Sequence, residues 1–284
     1  MSVGVALLLG VVQGLTEFVP VSSTAHLYLT QALLGIENDA IALSFDVVLH
    51  LGTAFALVLA LWGEIRDMAV ELVLVLSRRP ARSPASRALI LPIAVGTVPG
   101  VLAGLFLLKK IESVRTLGLI GVSMLVACAY FLLAERLGTR GVRERDLSRL
   151  TPGDALWIGA AQAAAGLMAG FSRSGFTIGT GRLRGLARED AARFSFLLAL
   201  PIILGAGAKA LLDLRKTPQP AVSTGALAAG FLASAAVGFL AVRFLLRFLR
   251  THTLRPFAAY LGALGLVLLA LTLTRHLPLL GAPR

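Results

Sequence analysis

Five or six stretches of the chain stay apolar for the roughly 20 residues a helix needs to cross a hydrocarbon layer, at about 42–62, 88–108, 116–134, 191–212, 222–245 and 256–276. Each is predicted to be a transmembrane helix. Two other regions fail the test in the same way. Residues 3–30 and 155–185 begin apolar, break at Gly, Pro, Ser and Thr, and resume within a few positions. Non-helical backbone at membrane depth survives only where protein buries it or a wet cavity runs beside it, because lipid offers its polar groups no partner. Both regions are therefore predicted to be re-entrant helical hairpins.

The two broken regions also resemble each other. Residues 5–24, "VALLLGVVQGLTEFVPVSST", align without a gap on residues 154–173, "DALWIGAAQAAAGLMAGFSR", matching Gly10 with Gly159, Gln13 with Gln162 and Ser23 with Ser172. A hairpin followed by three spans thus occurs twice. Three is odd, so the second copy enters the membrane upside down relative to the first, as in inverted-repeat transporters. The expected fold is all-α: a polytopic integral membrane protein with six full spans and two re-entrant hairpins. It forms one membrane domain over 1–284, made of a first repeat (1–134), a cytoplasmic linker (135–153) and a second repeat (154–276).

Composition agrees with this class, since 57% of the residues are hydrophobic and 15% charged and the mean hydropathy is +0.84, far from a soluble globular chain. The net charge of +12 would suit a nucleic-acid partner, but the cations cluster in short loops between apolar runs. There they read as topology signals and lipid headgroup contacts, and no nucleic-acid partner is expected. With the N-terminus outside, the cytoplasmic stretches 63–87, 135–153, 182–193 and 243–255 carry eighteen Lys and Arg, against seven in 31–41, 109–115, 213–221 and the tail from 275. That imbalance fits the positive-inside rule. Arg182 and Arg184 are expected to touch headgroups. Arg173 and Lys209 fall at membrane depth, and Asp213, four residues on, is the expected partner of Lys209. The lone Cys128 excludes an intramolecular disulfide, and the apolar start, which has no basic segment before it, is not read as a removable signal.

The chemistry lies in the two breaks. Hairpins inserted from opposite faces bring their tips together near the midplane. "QGLTEFVPVSSTAHL" supplies Glu17, Ser22, Ser23, Thr24 and His26; "AGFSRSGFT" supplies Ser172, Arg173, Ser174, Gly175 and Thr177. A carboxylate, hydroxyls, a His and an Arg suit a phosphate site, because Arg grips oxygens bidentately and Gly-Ser backbone lets amides approach them. Glu17 could hold a divalent cation, with Gln13 one turn earlier on the same face. Hydroxyls also act as interhelical glue, and Gly96, Gly100 and Gly104 in "GTVPGVLAG" mark close helix packing. His50, in "FDVVLHLGT", reads as a hydrogen-bonded structural residue.

These segments, "QGLTEFVPVSSTAHL", "FDVVLHLGT" and "GFSRSGFTIG" followed by "AREDAARFSFLLALPIILGAG", resemble the undecaprenyl-diphosphate phosphatase, or bacitracin-resistance, family from about residue 5 to 270. The resemblance implies an integral enzyme of the bacterial inner membrane that removes the terminal phosphate of undecaprenyl diphosphate, uses a divalent cation (Mg2+ or Ca2+), contacts membrane lipids and forms a homodimer. It makes Glu17 the catalytic carboxylate, His26 the essential His and Arg173 the Arg of the SRSG motif. Ser23 and Ser172 then fall on active-site serines and Thr177 on the Thr after the motif, while Ser22, Thr24, Ser174 and Gly175 would help hold phosphate. Gln13 stands where many relatives carry a second Glu, Ala169 replaces a usual Pro, and Ala25 replaces a common Gly.

The expected reaction is phosphoanhydride hydrolysis driven mainly by charge neutralisation at Arg173 and the cation. Three nucleophiles stay open: Ser23 with His26, three residues on, as base; His26 itself; or water activated by it. A different class, a transporter or flippase of an anionic prenyl phosphate lipid, would use the same broken helices.

Overall fold

The computed structural model describes residues 1–36, 40–106, 116–138, 144–214 and 222–274, with side chains at all of these except 40–44, 211, 213 and 214. Among them are eleven α-helices and no extended strand. The first hairpin is α1 (Val3–Phe18) and α2 (Ser23–Leu33); α3 (Ala40–Ala60), α4 (Trp62–Leu76), α5 (Pro84–Phe106) and α6 (Leu117–Leu137) complete the first half. The second hairpin is α7 (Pro152–Gly166) and α8 (Arg173–Leu183), followed by α9 (Arg188–Leu214), α10 (Thr224–Phe248) and α11 (Arg255–Leu273). Helices α5, α6, α9, α10 and α11 are long and apolar enough to cross a membrane, and α3 with α4 makes a sixth when that bent pair is counted as one span.

Local sequence sets the helix ends. The Ser2 side chain accepts from the Val5 amide at the start of α1. A box of Thr151 and Asp154, with Pro152 in the first turn, opens α7, each side chain satisfying an amide that the helix itself leaves unpaired. Helix α4 is an element the apolar runs missed. Residues 63–87 read as a loop, yet the chain turns 83° at Leu61 into an amphipathic helix. Glu71, buried on α4, accepts from the amides of Arg82 and Ser83 at 2.7 and 2.6 Å and from Arg87 at 2.8 Å, which folds the connection to α5 around one carboxylate.

The halves interlock. Helix α1 packs on α10, α7 on α5 and α6 on α11, and α3 contacts both α9 and α10. The matched glycines show how close the first two pairs come. A Cβ on Gly10 would sit 2.6 Å from the Gly230 carbonyl oxygen, and one on Gly159 would sit 2.0 Å from that of Gly96, so at both places the first helix of a hairpin touches the backbone of a long helix in the other half. Gly96 thus has the packing role its spacing suggested.

All four stretches expected on the cytoplasmic side meet on one face. Arg193 bridges Glu64 and Glu189 at 2.5 and 2.8 Å, Arg250 reaches Glu189 at 2.9 Å, and Arg188 holds Glu135 at 2.7 Å. Arg184 pairs with Asp154 at 2.7 Å. Arg182 departs from expectation: it is fully buried, pairs with Glu144 at 3.0 Å and donates to the Leu186 carbonyl, so it braces the protein rather than meeting headgroups. The loops 109–115 and 215–221, the tail from 275 and the Lys209–Asp213 pairing lie outside the described residues or side chains.

Candidate active site

Helix α1 runs to Phe18, where Pro20 removes the amide that would extend it, and Ser22 turns the chain at a positive φ of 73° before α2 begins at Ser23. This turn brings Ser23 back towards the last turn of α1. Its hydroxyl donates to Glu17 Oε2 at 2.7 Å, and the Gln13 side-chain amide, one turn earlier on the same face, donates to the same oxygen at 2.9 Å. From the second hairpin, Arg173 is the first residue of α8, and its Nη2 donates to Glu17 Oε1 at 2.6 Å. The Glu17 side chain is 5% exposed and that of Arg173 20%, so the pair is sheltered from water. An acid and a guanidinium 156 positions apart thus meet where two broken helices converge.

They line a cleft of about 630 Å³. Ser23, Thr24, Ser172, Asp46 and His50 line the polar part, while Leu27, Leu119, Met168, Phe171, Ile203 and Ala210 make the walls apolar. Leu119 lies near the start of α6 and Ala210 near the end of α9, the ends opposite Glu135 and Arg188, so the cleft extends away from the ionic face.

Of the residues expected at the site, Gln13, Glu17, Ser23, Thr24, Ser172 and Arg173 gather there. Others do not. Ser174 and Gly175 follow Arg173 in α8, and the 100° advance per residue turns them from it into the protein, while Thr177 lies one turn deeper and is buried there. Ser174 Oγ is 3.2 Å from Ser172 Oγ, the Gly175 amide is consumed by Ser172 Oγ at 3.2 Å, and the Thr177 hydroxyl bonds Ser195 at 2.5 Å. They anchor the start of α8 instead of offering donors to phosphate. Ser22 Oγ is buried with no partner.

The expected Ser23–His26 pair is also corrected. His26 Nδ1 lies 2.8 Å from the Ser22 carbonyl and Nε2 lies 2.6 Å from the Tyr260 hydroxyl, so neither nitrogen meets Ser23. A second histidine takes the position near the carboxylate: His50 Nε2 is 3.7 Å from Glu17 Oε2. Its Nδ1 donates to the Asp46 carbonyl at 2.8 Å, as the structural reading required. Asp46 in turn accepts from Gln31 at 2.8 Å. Sequence reasoning missed both as wall residues, although their i, i+4 spacing in "FDVVLHLGT" placed them on one helix face.

A divalent cation fits this donor set only in company. Gln13 Oε1 is buried and unpartnered, which is the environment of a potential oxygen ligand. Glu17, however, already accepts from Arg173, Gln13 and Ser23, and no group of three His, Cys, Asp or Glu suited to a metal occurs among the described residues. Hard cations can complete such a shell with substrate phosphate oxygens and water.

Fold and site together define a polytopic helical membrane protein with a sheltered ion pair in the lining of a largely apolar cleft. Comparison with known families matches residues 6–267 to BacA, the bacitracin resistance protein family. The chain is 43% identical to an undecaprenyl-diphosphatase of Rubrobacter xylanophilus over 94% of its own length and 97% of the relative's. It is 41% identical to one of Desulforudis audaxviator, over 95% and 97%, and 35% identical to one of Methanosphaera stadtmanae, over 94% and 97%. The chain belongs to the BacA family.

Proposed function

We propose that the chain hydrolyses undecaprenyl diphosphate to undecaprenyl phosphate and inorganic phosphate, recycling the lipid carrier of cell-wall polymers. One observation carries the reading: the Glu17 carboxylate holds the Ser23 hydroxyl at 2.7 Å and the Arg173 guanidinium at 2.6 Å in the lining of a cleft with largely apolar walls. In this mechanism the diphosphate enters with its terminal phosphorus towards Ser23 and Arg173 on the phosphoryl oxygens. Glu17 takes the Ser23 proton, Ser23 Oγ bonds phosphorus, and the anhydride P–O bond breaks to release undecaprenyl phosphate. Water then cleaves the serine ester and frees inorganic phosphate. A carboxylate thus replaces His26 as the base expected from spacing. Arg173 stabilises charge on the equatorial oxygens, the main task in phosphoryl transfer. A divalent cation held by Glu17, Gln13 Oε1 and the substrate would supply further charge neutralisation.

The apolar walls suit the first isoprene units. Because the cleft lies away from the cation-rich face, the positive-inside rule gives it access from the outer leaflet of the bacterial cell membrane. The homodimer implied by the resemblance belongs to the same proposal. The test is phosphate release from prenyl diphosphates of varied length by detergent-purified protein, with and without chelator. Release is expected from wild type and lost on Arg173→Ala with folding retained. A transporter gives no release without a second compartment, so a silent wild type refutes hydrolysis.

A further inference from the structure

We infer that His26 and Tyr260 are positioning residues: together they lock the strained turn at Ser22 that delivers the Ser23 hydroxyl to Glu17, and neither ring takes a proton from, or attacks, the substrate. The inference rests on the hydrolytic reading with Ser23 as the attacking group. Ser22 stands at φ 73°, ψ 91°, immediately before the first residue of α2. An L residue with a Cβ rarely adopts such a backbone, and it persists only where the surroundings over-determine it.

Here the surroundings are His26. The Ser22 carbonyl receives two of its donors, the main-chain amide at 3.2 Å and ring Nδ1 at 2.8 Å. A carbonyl only accepts, so Nδ1 carries the hydrogen, and in the neutral ring Nε2 is left as an acceptor. Tyr260 Oη lies 2.6 Å from that nitrogen, with the two rings stacked at 5.7 Å between centroids and 18° between planes. Both nitrogens are therefore occupied. The ring joins a backbone kink in the first hairpin to α11 in the other half. It is absent from the residues around the cleft, whereas the Ser23 proton already points at Glu17. Tyr260 props the ring, the ring holds the carbonyl, and the carbonyl fixes the residue before the nucleophile.

Glycine tests this arrangement because it adopts positive φ without strain. With Gly at position 22 the turn no longer depends on a clamp, so loss of the ring should matter far less. The experiment measures kcat and KM for phosphate release from a prenyl diphosphate by wild type, Ser22→Gly, His26→Ala, the double variant and Tyr260→Phe. His26→Ala is expected to lower kcat about 100-fold with KM within about threefold, as Arg173 is untouched. In the Ser22→Gly background the same change should lower kcat less than about fivefold, whatever the glycine itself does. Tyr260→Phe should lower kcat about tenfold. An undiminished effect of His26→Ala in the glycine background overturns the inference, because a chemical role cannot be replaced by backbone freedom.

A readout free of activity separates failure of the clamp from failure of the hydrolytic reading. In protein labelled with 15N-histidine, His26 should show the Nδ1–H tautomer, with the Nε2 resonance moving on Tyr260→Phe. An Nε2–H tautomer, or a resonance indifferent to Tyr260, refutes the clamp even in a preparation that releases no phosphate.

Discussion

Glu17→Gln separates the ways in which a carboxylate could serve this site. In the free protein the Arg173 guanidinium is bound to Glu17 at 2.6 Å, so an incoming diphosphate competes with the carboxylate for it. At an effective dielectric near 20, unit charges about 4 Å apart attract by roughly 4 kcal/mol, and burial of both groups offsets much of this. Releasing the guanidinium from a charged partner should therefore strengthen substrate binding by about 1.4 kcal/mol, a tenfold fall in KM where chemistry is slow. The same change removes the base that faces the Ser23 hydroxyl, and loss of a positioned base lowers kcat by roughly 10²–10⁴. The site should tolerate the change sterically, since the unpartnered Gln13 Oε1 offers an acceptor for the new amide. The assay is phosphate release from farnesyl diphosphate in detergent, with KM and kcat resolved and a non-hydrolysable diphosphate titrated in parallel. KM and kcat should fall together. A KM that rises while kcat stays constant would refute the reasoning and make Glu17 chiefly a cation ligand that recruits substrate.

Ser23→Ala should abolish turnover, and wild type quenched early should carry phosphate on that serine by mass spectrometry; full activity of the alanine variant removes the serine route. Gly159→Ala places a methyl 2.0 Å from the Gly96 carbonyl oxygen and should destabilise by about 1–3 kcal/mol through overpacking. Its thermal transition in detergent is to be compared with Gly153→Ala, where the nearest atom is 3.8 Å away and no drop is expected. Glu71→Ala releases the amides of Arg82 and Ser83, so limited trypsin should cut after Arg78 or Arg82 much faster than in wild type, while phosphate release persists.

The long apolar runs gave the spans because lipid demands a nearly unbroken hydrophobic stretch, and α5, α6, α9, α10 and α11 fall on their predicted runs within a few residues. Helix α4 escaped because Glu64, Arg66, Asp67 and Glu71 break its apolar count. Its helicity lies in periodicity and in a carboxylate satisfied by residues still to come in the chain. At the site, Gln13 and Glu17 were legible because a four-residue step inside a regular helix keeps one face. Ser23 and His26 were misread because a helix start is not regular. The N-terminal residue turns back over the preceding loop, and the ring four positions after Ser22 finds that residue's carbonyl first. The SRSG motif was misread for the opposite reason. It is regular helix, so only Ser172 and Arg173 at its mouth reach the cleft, while Ser174 rotates into the packing and Thr177, a full turn deeper, is buried against Ser195.

A carboxylate is an unexpected neighbour for a diphosphate, and the interlocked halves explain why it is tolerated. Arg173 alone at this depth would be an unpaired buried cation, and Glu17 alone an unpaired buried anion; either is costly in a low-dielectric interior. Each hairpin contributes one of the two charges, so bringing the tips together gives each a counter-ion. Substrate reverses the balance. Its phosphates draw on the guanidinium, which frees Glu17 Oε1 while Oε2 keeps the Ser23 hydroxyl oxygen at 2.7 Å. The ion pair that holds the hairpins together at rest is, on this argument, also the contact that a diphosphate opens before Ser23 attacks.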